Sequence, residues 1–256
     1  MLLKLLKYDF RAMWKQFSLI WGAALMLALV NRFTLFRDIG YDIISNSSLL
    51  TLAFMGVVIA MIVLSVSFVA DRFSKGLLGS EGYLMHTLPV WPWQLVASKL
   101  ICGVVTWMIS GAVAFVSPFL MAPMDWSILM EFGFWRDIMR GLTQRPDTLL
   151  LLFEFCLMVV AVMLQFIASI YLALSIGHLL PRYRRLGSVA SFIGLYILLV
   201  NLYSRVFSAH VVRALLDVTT SNVYGSLLTA IATLLIPAAL FLAAVCWILN
   251  HKLNLE

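Results

Sequence analysis

Charge is what this sequence has least of. Only 12% of its 256 residues are Asp, Glu, Lys or Arg, where a soluble domain averages roughly 25%. With 63% hydrophobic residues and a mean hydropathy of +1.00, too little polar surface is left to cover a water-soluble body. Cysteine is also sparse. Cys102, Cys156 and Cys246 lie far apart inside apolar stretches, which excludes a disulfide framework and a metal-ligand spacing and makes them small buried hydrophobes. Motifs that carry chemistry are missing. No G-x-x-x-x-G-K-[ST] loop is present to cradle a nucleotide, and there is no H-E-x-x-H, no G-x-S-x-G and no pair of carboxylates within one apolar stretch. His86, His178, His210 and His251 fall at or beyond the ends of such stretches, without ligand neighbours. No basic run is interleaved with aromatics, so nothing is laid out to follow a nucleic-acid backbone. An active site, metal or cofactor of the chain's own is not expected.

What is present is length of apolar chain. A membrane-spanning helix needs about 20 mostly apolar residues. Six stretches qualify: Phe17–Phe33, Leu49–Ala70, Leu95–Met121, Leu149–Gly177, Leu186–Tyr203 and Tyr224–Leu249. The expected fold is an all-α integral membrane protein forming one transmembrane domain over 1–256. Spans one to three occupy 17–121, an outer interfacial segment 122–148, and spans four to six with a cytosolic tail 149–256. A basic start before an apolar run also fits a signal peptide, but Asn31, Arg32 and Phe33 follow where a small-residue cleavage site would stand.

The first sixteen residues have a different pattern. Lys4, Lys7, Arg11 and Lys15 recur at spacings of three and four and share one narrow helical face. Leu3, Leu6, Phe10, Met13, Trp14 and Phe17 fill the opposite arc. Such a helix suits the plane of the membrane surface, so residues 1–16 are expected as a separate in-plane, or elbow, helix. The competing expectation is a cytosolic extension of span one.

Basic flanks set orientation. With the N-terminus in the cytosol and six crossings, the inner segments hold eleven bases and four acids, and the outer side holds seven bases and eight acids. That imbalance predicts both termini on the cytosolic face of a plasma membrane. Span charges are costly, by about 2.5–3.5 kcal/mol on insertion scales. Glu154, near the outer start of span four, is read as the one such charge, either favoured there by the helix dipole or facing a substrate path. The outer segment Ser204–Asn222 is expected as an interfacial helix or a broken re-entrant piece. The inner segment Asp71–Gln94 is cut by Gly76, Gly79 and Gly82. Within it, Ser80–Leu88 fits a helix of about two turns that Pro89 stops.

Glu81-Gly82-Tyr83-Leu84, Thr87-Leu88-Pro89-Val90, Trp93-Gln94-Leu95 and Ser98-Lys99-Leu100 together resemble a region of the small ABC-2-type exporter permeases of Gram-positive bacteria. Leu5-Leu6-Lys7-Tyr8-Asp9-Phe10 is similar to their N-terminal helix. Tyr171 to Leu179 and the tail Lys252-Leu253-Asn254-Leu255-Glu256 are similar to their fourth-span exit and ending. These patches occur in order along nearly the whole chain. The resemblance implies a dimer of permeases, homomeric or heteromeric, working with a separate nucleotide-binding ATPase subunit that holds the ATP and magnesium. It implies a coupling helix at Ser80–Leu88, with Ser80, Glu81, Tyr83, Leu84, His86 and Leu88 at the ATPase. Arg182, Arg184 and Arg185 would form a second cytosolic contact or an anionic-lipid anchor. Family members export drugs, lipid-linked glycans or amphipathic peptides such as phenol-soluble modulins, and an amphipathic peptide is the expected substrate. The alternatives are a non-transporting sensor, immunity or assembly module that partners an ATPase, and a lipid or drug exporter.

Overall fold

A computed structural model describes residues 2–37, 46–79, 91–121, 133, 136, 140, 146–180, 183–216 and 223–251. The described backbone is helical, with no strand among the described residues. Its long helices are α1 (Leu2–Arg37), α2 (Asn46–Phe73), α3 (Pro92–Met121), α4 (Pro146–His178), α5 (Arg184–Leu216) and α6 (Val223–His251). Each contains a stretch long and apolar enough to cross a membrane. Hydrocarbon offers no partner to a backbone N–H or C=O, so a spanning chain satisfies these groups within the helix. Pro92 and Pro146 open α3 and α4, where a missing N–H costs nothing. Pro118 and Pro237 sit inside helices, as spans tolerate.

Residues 2–16 do not form a separate in-plane helix. They continue without a break into the first span. No glycine or proline interrupts Leu2–Trp21, and the side chains on the inner arc have a partner to pack on. α1 and α3 run parallel in nearly constant register: Asp9 meets Lys99, Met13 meets Cys102 and Thr106, Trp21 meets Ser110, and Asn31 meets Met121. Met13 and Phe17, placed on a lipid-facing arc by the sequence pattern, are buried at 0% and 2% exposure. Lys7, Arg11 and Lys15 are exposed.

The helices form two groups. α1, α2 and α3 pack together, and α4 packs along α5 and α6. In the first group Trp21 Nε1 donates to Ser110 Oγ at 3.0 Å, and Ser110 Oγ lies 3.3 Å from Ser65 Oγ. These contacts tie three helices near the middle of their apolar lengths. In the second group α4 and α5 cross almost backbone to backbone. A Cβ on Gly177 would lie 2.0 Å from Ser188 Oγ and 2.5 Å from its amide nitrogen. Between lipid-facing helices such packing, rather than water exclusion, drives association, so small residues mark the crossing.

The two groups meet at the end of the bundle that carries the N-terminus. Phe73 at the end of α2, and Leu77 and Leu78 in the turn just after it, pack with Leu95 and Val96 of α3, Ile167 and Tyr171 of α4, and Val245, Ile248 and Leu249 of α6. The rings of Phe73 and Tyr171 stack at 4.2 Å and 13°. The start of α1, the start of α3 and the end of α6 therefore share one end. α5 differs from expectation: it runs on through Leu216, so residues 204–216 belong to that helix rather than to a separate or re-entrant segment. Helical pairing of backbone groups does not stop where the apolar side chains thin out.

Candidate functional site

At the shared end the sequence places three charged residues on the bundle's inner surfaces. Asp9 and Lys99 are buried and form an ion pair, with Lys99 Nζ 2.6 Å from Asp9 Oδ1 and side-chain exposures of 6% for Lys99 and 9% for Asp9. Removing two charges from water costs several kcal/mol each, so such a pair persists only in good geometry. Local structure provides it. After Phe73 the chain takes a wider π-helical turn over Ser74–Leu78, a rare form that recurs at functional places. That turn presents Gly76, whose absent Cβ would lie 3.4 Å from Lys99 Cε and 3.6 Å from Nζ. The lysine thus reaches Asp9 across the face of a glycine.

The pair is incompletely satisfied. Asp9 Oδ2 is buried and accepts no hydrogen bond. Asp9 also borders a void of about 10 Å³, lined by Phe68, Val69, Arg72, Lys99, Cys102, Gly103 and Tyr171, close to the smallest space that holds one water. The same residue lines a larger cleft of about 680 Å³ between α1 and α2. Tyr8, Gln16, Phe17 and Ile20 form one wall, and Leu64, Ser67, Phe68, Asp71 and Arg72 the other. Arg72 lies in this cleft with its guanidinium 5.4 Å from the centre of the Phe68 ring. Among the described residues no carboxylate comes within ion-pair distance of it. Lys75 pairs with Asp71 at 3.1 Å, but both side chains are largely exposed, at 71% and 65%, and such pairs contribute little.

Glu154 is not alone as a buried charge: Asp9 and Lys99 are also buried, on helices of spanning length. Glu154 itself is buried on α4, with Oε2 lacking a hydrogen bond. It stands apart from the cleft, ~25 Å along α4 from Tyr171 at the usual helical rise. The remaining sequence-derived candidates are scattered. Arg184 and Arg185 open α5 and are exposed. Ser80, Glu81, Tyr83, Leu84, His86, Leu88 and Arg182 lie outside the described residues, as does the side chain of Lys4. Asp9, Lys99 and Arg72 were not singled out by sequence reasoning, although Asp9 interrupts the apolar arc between Leu6 and Met13.

These six helices define a polytopic helical membrane protein. Compared with protein-family models, with curated proteins and with solved structures, the chain finds no match.

Proposed function

We propose that this chain is the permease subunit of an ABC exporter, moving an amphipathic substrate out of the cell with energy from a separate ATPase. The substrate class that best fits is an amphipathic peptide, and the functional unit is two permease copies with two ATPase subunits. Both termini face the cytosol, in keeping with the bias of bases toward the end where Asp9, Arg72, Lys75 and Lys99 lie. The first turns of α1 then extend into the cytosol, the alternative to an elbow helix.

One observation carries the reading beyond the family resemblance. The segment 80–88, assigned to ATPase contact, follows directly on a π-helical turn whose Leu77 and Leu78 are buried, at 0% and 4% exposure, among side chains of α2, α3, α4 and α6. A displacement of 80–88 by a partner would enter the bundle where its two helix groups meet. Packed interfaces of this kind respond as bistable units rather than deforming continuously.

Co-purification tests the proposal. The protein extracted in mild detergent should bring down an ATPase subunit, and the complex in vesicles should hydrolyse ATP faster when amphipathic peptides are added. Tyr83→Asp with Leu84→Asp should abolish ATPase binding while the chain still inserts. Retained binding in that variant would remove 80–88 from the contact. A chain that purifies alone and supports no peptide-stimulated hydrolysis would overturn the exporter reading.

A further inference from the structure

Much of the cleft between α1 and α2 lies at the depth of acyl chains. Trp21, Ser65 and Ser110 meet near the middle of the apolar stretches. At the helical rise, Ser67 lies ~3 Å, Gln16 ~8 Å and Arg72 ~10 Å along their helices from that level. The hydrocarbon half-thickness is about 15 Å, so all three stand within the hydrocarbon. Ile20 and Leu64 line the end of the cleft nearest the middle of the bilayer, next to Trp21 and Ser65 in sequence. Leu64 is 45% exposed, and Gln16 and Ser67 are exposed too. The cleft therefore opens sideways, toward lipid.

The charges of the lining balance except for one. Lys75 is held by Asp71 and Lys99 by Asp9. Arg72 has no carboxylate within ion-pair distance among the described residues. Its guanidinium rests 5.4 Å from the centre of the Phe68 ring. A cation at this depth is costly and calls for an anion. Asp9 and Asp71 against Arg72, Lys75 and Lys99 leave a single positive charge in the lining, so a monoanion balances it. A dianion such as a phosphate monoester would face both carboxylates with one free cation. A phospholipid headgroup stays outside the hydrocarbon, whereas a carboxylate ending a single chain brings little beyond the charge itself. At about 680 Å³ the space falls in the usual range for organic ligands. It is too small for two turns of a peptide helix, ~10 Å across and ~11 Å long.

We infer that this cleft binds a single-chain amphipathic monoanion, a carboxylate on an apolar chain, taken up from the bilayer. Arg72 holds the carboxylate, and the chain lies along Phe68, Leu64 and Ile20 toward the middle of the membrane. Arg suits this task because its planar donors match the two oxygens of a carboxylate. The inference does not depend on the exporter reading, since it requires only that α1 and α2 span a bilayer.

The test uses the full-length protein in phosphatidylcholine vesicles at alkaline pH, with a palmitate analogue that carries a photoreactive diazirine on its chain. The matching alcohol, which has the same chain and no charge, is the comparison. After illumination the labelled residues are mapped by mass spectrometry. The carboxylate should label the Ile20 and Leu64 walls, and the alcohol on the order of tenfold less, the equivalent of one hydrogen bond between charged groups. Arg72→Gln should lower labelling by the carboxylate on the order of tenfold and leave labelling by the alcohol unchanged. Arg72→Lys should restore part of it, and Lys75→Gln should change little. Ser67→Trp leaves Arg72 in place but fills the cleft from an exposed position, and should lower labelling by the carboxylate as well. Excess acetate should not displace the label. Displacement by acetate would assign the site to a small water-soluble carboxylate and overturn the part given to the apolar wall. Equal labelling by acid and alcohol, or unchanged labelling in Arg72→Gln or Ser67→Trp, overturns the site.

Discussion

Asp9 and Lys99 illustrate how much a single pair can matter when both members are buried. Removing one partner strands the other, which typically costs about 3–5 kcal/mol, whereas replacing both with apolar groups of similar size is often neutral. Lys99→Ala and Asp9→Ala should each lower the unfolding midpoint of the detergent-solubilised protein sharply. The double variant Asp9→Leu with Lys99→Met should recover most of the loss, and its failure to do so would show that the two charges act separately. The glycines at the α4–α5 crossing give a graded expectation. Gly177→Ala drives a methyl into the Ser188 backbone and should cost about 1–3 kcal/mol. Gly187→Ala meets Leu180 Cδ1 at 2.6 Å instead, and that half-exposed side chain can swing away, so the loss should be smaller. Gly56→Ala meets nothing within 4 Å and should be neutral or slightly stabilising. Thermal unfolding of the three variants side by side checks the order.

Among elements, α1 is the most informative. At 36 residues it is ~54 Å long by the helical rise, well beyond the ~30 Å of hydrocarbon. A single residue inserted between Gln16 and Phe17 rotates the preceding turns by about 100° and takes Asp9 off Lys99 without shortening the apolar stretch. A continuous strut predicts a loss of stability close to that of Asp9→Ala. A hinged elbow predicts tolerance, and the unfolding midpoint distinguishes them. The same helix shows what the amino-acid sequence makes legible. Six spans are readable because apolar length is a local property. Where a helix stops is less so, since Lys7, Arg11 and Lys15 mark the edge of hydrocarbon rather than of hydrogen bonding, and α5 likewise passes Tyr203. Half of the candidate site was visible in principle: Asp9 breaks an otherwise apolar arc. Lys99 was counted with the flanking bases because it stands near the start of a span. The contribution of Gly76 is not local at all, because it consists of leaving room for a side chain from another helix.

On the scale of the whole molecule, the Asp9–Lys99 pair and Arg72 lie at one end, where both groups of helices touch and the start of α1 and the end of α6 come together, while Glu154 is buried farther along α4. Reporter tags at the N- and C-terminus should therefore label the same membrane face, and the protein should remain with the bilayer after carbonate extraction. Tags on opposite faces would exclude this arrangement of α1 and α6. The parallel register of α1 and α3 has a consequence for biogenesis. Asp9 and Lys99 are separated by 90 positions, and synthesis proceeds from the N-terminus. The acid thus emerges from the ribosome well before its lysine, and the first helix has to wait, threaded but unanchored, for the third. A nascent chain arrested before residue 99 should accordingly be cleared faster by membrane quality-control proteases than one arrested after Met121.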